Sequence, residues 1–81
     1  MEQNKEIIVA HRGWVFVGDV TEDLENIVIS NALNIRRWGT TKGLGQLAID
    51  GPQPNTVIDS YGTVKIHKLS VVCRIKVTAI W

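Results

Sequence analysis

A single cysteine stands in a chain of 81 residues, and a lone Cys73 cannot close an intrachain disulfide. Small secreted domains usually depend on several such bridges, so a disulfide framework is excluded and a reducing, cytoplasmic setting is expected. Long apolar runs are missing as well. The first apolar stretch is only Ile7-Ile8-Val9-Ala10 before His11 and Arg12 intervene, too short for a signal-peptide core or a membrane span. Nor is charge of one sign in excess. Nine Lys+Arg against eight Asp+Glu leave a formal charge of +1, which gives no overall attraction to a duplex or an anionic bilayer. No membrane partner follows from this balance. A nucleic-acid face would require Arg36, Lys42, Lys65, Lys68, Arg74 and Lys76 to line up on one side, against the neutral total. Any anion site has to be local.

Catalytic and metal constellations are equally scarce. His11, His67 and Cys73 show no CxxC, HxxxH or HExxH spacing, so no metal site and no cofactor are expected. Cys73 falls on the apolar side of the last strand pattern, where a small buried hydrophobe is the ordinary reading. Glu22, Asp23 and Glu25 occupy one turn and Asp19 closely precedes them, but the calcium-loop pattern is absent and a solvated hairpin tip accounts for them. No base and nucleophile pair can be nominated, which points to a non-enzymatic protein.

What the chain does have is β-branched residues in clusters, 44% apolar residues and 21% charged ones. Together these describe one globular domain over residues 1–81, with 1–5 expected to be disordered. Strands are read at Ile7–Val9, Trp14–Val20, Ile27–Ile35, Thr56–Ile58, Thr63–Ile66 and Leu69–Val77. Arg12-Gly13 reads as either a turn or a bulge within one long bent strand, with the bulge preferred, and Asp59-Ser60-Tyr61-Gly62 as a tight hairpin turn. Leu44, Leu47 and Ala48 at i, i+3 and i+4 place a short helix over Leu44 to Asp50, with Thr40 or Thr41 as its cap and Gly51-Pro52 as its stop. The fold class is mainly β: a small antiparallel curled sheet or partly open barrel of five or six strands with one short helix. Strand edges, Val72 and a C-terminal Ile80-Trp81 read as exposed, so pairing into a homo-oligomer is expected.

The segment Arg36-Arg37-Trp38-Gly39-Thr40-Thr41-Lys42-Gly43 combines cations, hydroxyls, flexible backbone and an aromatic ring. Glycines admit a ligand close to backbone N–H groups, the helix beginning at Leu44 adds its dipole, and Trp38 offers a stacking plane. Arg36, Arg37, Trp38, Thr40, Thr41, Lys42 and Gly43 are therefore the candidate ligand-binding residues, with a phosphate or nucleotide as guest. The order of residues is not that of a Walker loop, because Lys42 precedes Gly43. The competing reading makes Trp38 core and the glycines a turn, with Arg36 and Arg37 on opposite faces of a strand. A buried Trp14 beside Phe16 fits a structural role.

Asn34-Ile35-Arg36-Arg37-Trp38-Gly39, then Gly43-Leu44-Gly45-Gln46-Leu47-Ala48, Gly51-Pro52 and Gly62-Thr63-Val64, resemble a family of short, functionally uncharacterised phage and prophage proteins over residues 12–77. That family has an Arg-Arg-Trp stretch, a Gly-rich loop and a Leu-x-x-Leu-Ala helix. The resemblance implies a viral origin and a role in the host bacterial cytoplasm, and it transfers no catalytic residues. The expectation is a non-enzymatic phage protein that oligomerises and binds or sequesters a small anionic ligand, such as a nucleotide or nucleotide-derived host defence signal. A protein interaction module that binds a host or phage protein through a sheet edge or a Trp-bearing surface is the alternative.

Overall fold

The computed structural model describes residues 5–81. Five strands form one antiparallel sheet: β1 (Lys5–Ala10), β2 (Val15–Glu22), β3 (Asn26–Arg37), β4 (Val57–His67) and β5 (Val71–Lys76), in the order β4-β3-β2-β1-β5. A single helix, α1 (Leu44–Asp50), interrupts the connection from β3 to β4. The two edge strands, β4 and β5, are joined by a three-residue 3-10 turn, Lys68–Ser70. So short a link between opposite edges forces the sheet to curl without closing.

The curl is built into β3. Between Val17↔Leu33 and Asp19↔Ser30, and again between Ile29↔Val64 and Ala32↔Gly62, β3 carries one residue more than its neighbour. Asn31, at φ 52, lies in this stretch, and asparagine tolerates the left-handed conformation that a bulge demands. An odd insertion reverses the alternation of faces. Ile27 and Ile29 therefore join one core while Leu33 and Ile35 join the other. Gly18 faces the bulge from β2, where a Cβ would stand only 2.8 Å from the Ser30 carbonyl oxygen.

Each face of the sheet has its own apolar cluster. On one face, Ile7, Val15, Val17, Ile35 and Val77 pack with Leu47 and Ala48 of α1. Trp81 packs on the same cluster, its Nε1–H donating to the Leu47 carbonyl at 3.1 Å. The other cluster draws residues from all five strands: Ile8, Phe16, Val20, Ile27, Ile29 and Ala32, flanked by Val64, Ile66 and Val71. This is the inside of the curl.

Several expectations are corrected. Arg12-Gly13 is no bulge within one long strand: residues His11–Gly13 form a 3-10 turn between paired strands, with Arg12 at φ 64 and Gly13 at φ 78. Asp59 to Gly62 does not reverse the chain, because β3 is long enough to keep β4 extended from Val57 to His67. Tyr61 is instead the extra residue of β4 between Ala32↔Gly62 and Leu33↔Ser60, and Gly62 takes φ 76. Cys73 is exposed, since β5 is an edge strand and α1 with the following tail covers the sheet nearer Val77. Trp14 is about half exposed at 47%, since its stacking on Phe16 covers one face of the ring, and Trp38 is also exposed. Trp81 is not free, whereas Ile80 remains exposed. Lys5 pairs with Asp19 in β1 rather than being disordered, and residues 1–4 lie outside the described residues.

Candidate functional site

The loop after β3 keeps its cations apart. Arg36 lies across from β4 and forms an ion pair with Asp59, Nε to Oδ2 at 3.0 Å. A register shift between Ile35 and Arg37 breaks the strict alternation that would set Arg36 and Arg37 on opposite faces, and both are exposed. Trp38 is held through its carbonyl, which accepts the Thr56 hydroxyl at 2.7 Å. Gly39, at φ 63, lies so close to Asn55 and Thr56 that a Cβ there would overlap their backbone.

The backbone donors that a phosphate would need are engaged inside the loop. Gln46 Oε1 accepts the N–H groups of Thr41 and Lys42 at 3.0 and 2.9 Å, and Thr40 Oγ1 accepts that of Gly43 at 3.0 Å. Neither threonine is the cap of α1; Gly43 occupies that position, without a side-chain cap bond. Leu44 to Asp50 is helical as expected, and Gly51, at φ 83, ends it by donating to the Leu47 carbonyl. An anion at this loop would have to displace Gln46. A hollow of about 460 Å³ over α1 is bordered by Lys42 alone among the candidate residues, and Asp50 contributes a carboxylate there.

Other charged groups are likewise occupied. Arg74 donates to Glu6 at 2.8 Å and to Glu22 at 3.1 Å, while Lys68 lies 3.6 Å from Glu22. The hydrogen bond to Glu6, more than any other influence, raises the Arg74 pKa beyond its already high ordinary value. Three of the six cations required for a nucleic-acid face are thus in ion pairs. At the acidic turn Asp23 Oδ1 accepts the N–H groups of Asn26 and Glu25, which holds its carboxyl below the usual range. Among the described residues no three His, Cys, Asp or Glu side chains gather closely enough for a metal ion. Among the described residues no helix is long and apolar enough to cross a membrane.

A second concavity, a slot lined largely by apolar side chains, lies on the side of the sheet that carries Phe16, Val64 and Ile66. Its volume is about 350 Å³, and it is lined by Ala10, His11, Trp14, Phe16, Tyr61, Val64, Ile66 and Ser70. Three rings form its wall. Trp14 and Phe16 stack with centroids 5.8 Å apart and planes 6° from parallel, and Tyr61 meets them at 6.4 and 5.8 Å. Phe16 is buried, while Trp14 and Tyr61 each keep 47% of their surface exposed. The pair Trp14 and Phe16 was legible, since residues i and i+2 of a strand share a face. Tyr61 was not, because it reaches the slot through the β4 bulge.

The chain was compared with protein-family models, with curated proteins and with solved structures, and none of them matches it.

Proposed function

We propose that this protein is a non-enzymatic binding module that holds an extended, apolar segment of a partner protein in the slot beside β4. The observation that carries the reading is the Trp14–Phe16–Tyr61 cluster, with two of its three rings half exposed over a hollow of about 350 Å³. Rigid aromatic rings lining a concave apolar site are the usual anchors of binding energy, and aromatic grooves accept extended or polyproline-like chains. β4 adds to this. It is an edge strand of eleven residues whose outer side pairs with nothing among the described residues, so a docking segment finds free backbone groups next to the apolar slot. The Arg36–Gly43 loop supports an anionic guest less well, because the N–H groups of Thr41, Lys42 and Gly43 and the Arg36 side chain already have partners.

The test is a display selection from a library of random peptides, followed by titration of the enriched peptides. Enriched sequences are expected to carry apolar or proline residues and to lose at least about tenfold in affinity against Trp14→Ala and Tyr61→Ala, as for truncation of an interface anchor. Charge reversal at Arg36, Arg37 and Lys42 is expected to leave them unaffected. Peptides that bind Trp14→Ala and Tyr61→Ala as tightly as the wild type would sink the proposal.

A further inference from the structure

Arg12 occupies the 3-10 turn between His11 and Trp14, and both of those neighbours line the slot. Its backbone is left-handed at φ 64, a conformation that glycine or asparagine adopts with less strain than a long side chain. A turn needed only to join β1 to β2 has no use for arginine there, and non-glycine residues in such conformations cluster at binding sites. The electrostatics around it are one-sided. No carboxylate lines the slot, and Arg12 forms no ion pair or side-chain hydrogen bond among the described residues.

We infer that Arg12 reads a carboxylate, so that the segment filling the slot carries an acidic group next to its apolar side chains. This rests on the slot being a peptide site. The aromatic wall supplies affinity without regard to sequence, whereas Arg12, on the turn next to the lining residue His11, offers a fork of N–H donors to a carboxylate in a fixed geometry and so sets which apolar segments are held. The cation and the rings thus divide the work between selection and anchoring.

Two capped hexapeptides test it, one with a central Leu-Pro pair followed by Asp and the other identical but with Asn. Titrations follow Trp fluorescence at low and high salt. The wild type is expected to prefer the Asp peptide by about fivefold at low salt, the scale of a partly exposed charge-assisted pair, and to lose most of that preference at high salt. Arg12→Asn, which suits the left-handed backbone, should bind both peptides equally and keep the wild-type affinity for the Asn peptide. Arg12→Gly provides the same readout in a second background. Equal binding of the two peptides by the wild type, or a preference that survives in both variants, overturns the role of Arg12 while the slot reading stands. Binding of neither peptide by the wild type overturns both.

Discussion

Gly18→Ala isolates the bend that gives the sheet its curl. The added Cβ would stand 2.6 Å from Ile29 Cγ2, 2.8 Å from the Ser30 carbonyl oxygen and 3.2 Å from Ala32 Cα. Ile29 is fully buried, so its methyl group has nowhere to turn. The other two atoms are backbone on either side of Asn31, and they can move only if β2 and β3 separate at the bulge. Overpacking a core costs about 1–3 kcal/mol, and contacts with backbone put this case at the upper end, about 3 kcal/mol. For a domain of this size each kcal/mol lowers the melting temperature by roughly 4–8 °C, so a fall of roughly 12–24 °C is expected. Gly45→Ala is the internal control. Gly45 lies in α1 and a Cβ there meets nothing within 4 Å, so alanine should stabilise by about 0.5–1 kcal/mol. Circular dichroism melts and urea titrations of both variants measure the opposed signs. A Gly18→Ala melting temperature equal to that of the wild type would refute the tight packing of the bend.

Trp81→Phe keeps a ring on the helix-side cluster but removes the Nε1–H bond to the Leu47 carbonyl. That carbonyl still accepts Gly51 N–H, so the loss should be small, about 0.5–1 kcal/mol by urea denaturation, whereas Trp81→Ala should cost about 2–3 kcal/mol. Asp23 gives a pH signature, its carboxyl being held below the ordinary 3.8 first by the Asn26 N–H and then by that of Glu25. A lowered folded pKa contributes stability that is complete above the unfolded value and lost as pH falls through the folded one. Asp23→Ala should therefore be less stable than the wild type at neutral pH, with a gap that narrows as pH drops below about 3.8. Melting temperatures of the two proteins across an acid series decide this, and a gap constant down to strong acid would contradict it.

Local chemistry was legible in the sequence wherever one element decided its own conformation. Leu44, Leu47 and Ala48 set the buried face of α1, and Gly51 stops it through a left-handed φ that the residue type announces. A charged turn was readable at Thr21-Glu22-Asp23, although Thr21 and Glu22 still pair in β2 and the turn begins at Asp23, which bonds to backbone two and three residues on. Features that depend on a neighbouring strand were hidden. Nothing in Ile29-Ser30-Asn31-Ala32 states that Asn31 is an inserted residue, because the insertion exists only relative to the registers of β2 and β4. Asp59-Ser60-Tyr61-Gly62 has the composition of a turn, and Gly62 does take positive φ, yet pairing with β3 keeps the chain extended. The loop from Arg36 to Gly43 held the parts of an anion site, but a glutamine side chain reaching back to two backbone N–H groups cannot be read from composition.

The division of the molecule into two apolar clusters has a functional consequence. The loop after β3 leads into α1, whose buried residues Leu47 and Ala48 belong to the helix-side cluster, while the slot opens from the cluster inside the curl. One sheet lies between them, and effects of substitutions that share no partners add. Changes at Lys42 or Gln46 should therefore leave peptide binding at Trp14 and Tyr61 intact, whereas Gly18 and Asn31 act on both faces at once because the bulge assigns Ile29 to one and Leu33 to the other. The bend that brings β4 round toward the far edge, and so creates the slot, is also what allows a five-stranded sheet to bury apolar residues on both sides. Stability and the binding surface thus share one structural cause at Asn31, and a variant that straightened β3 would lose the slot along with the core.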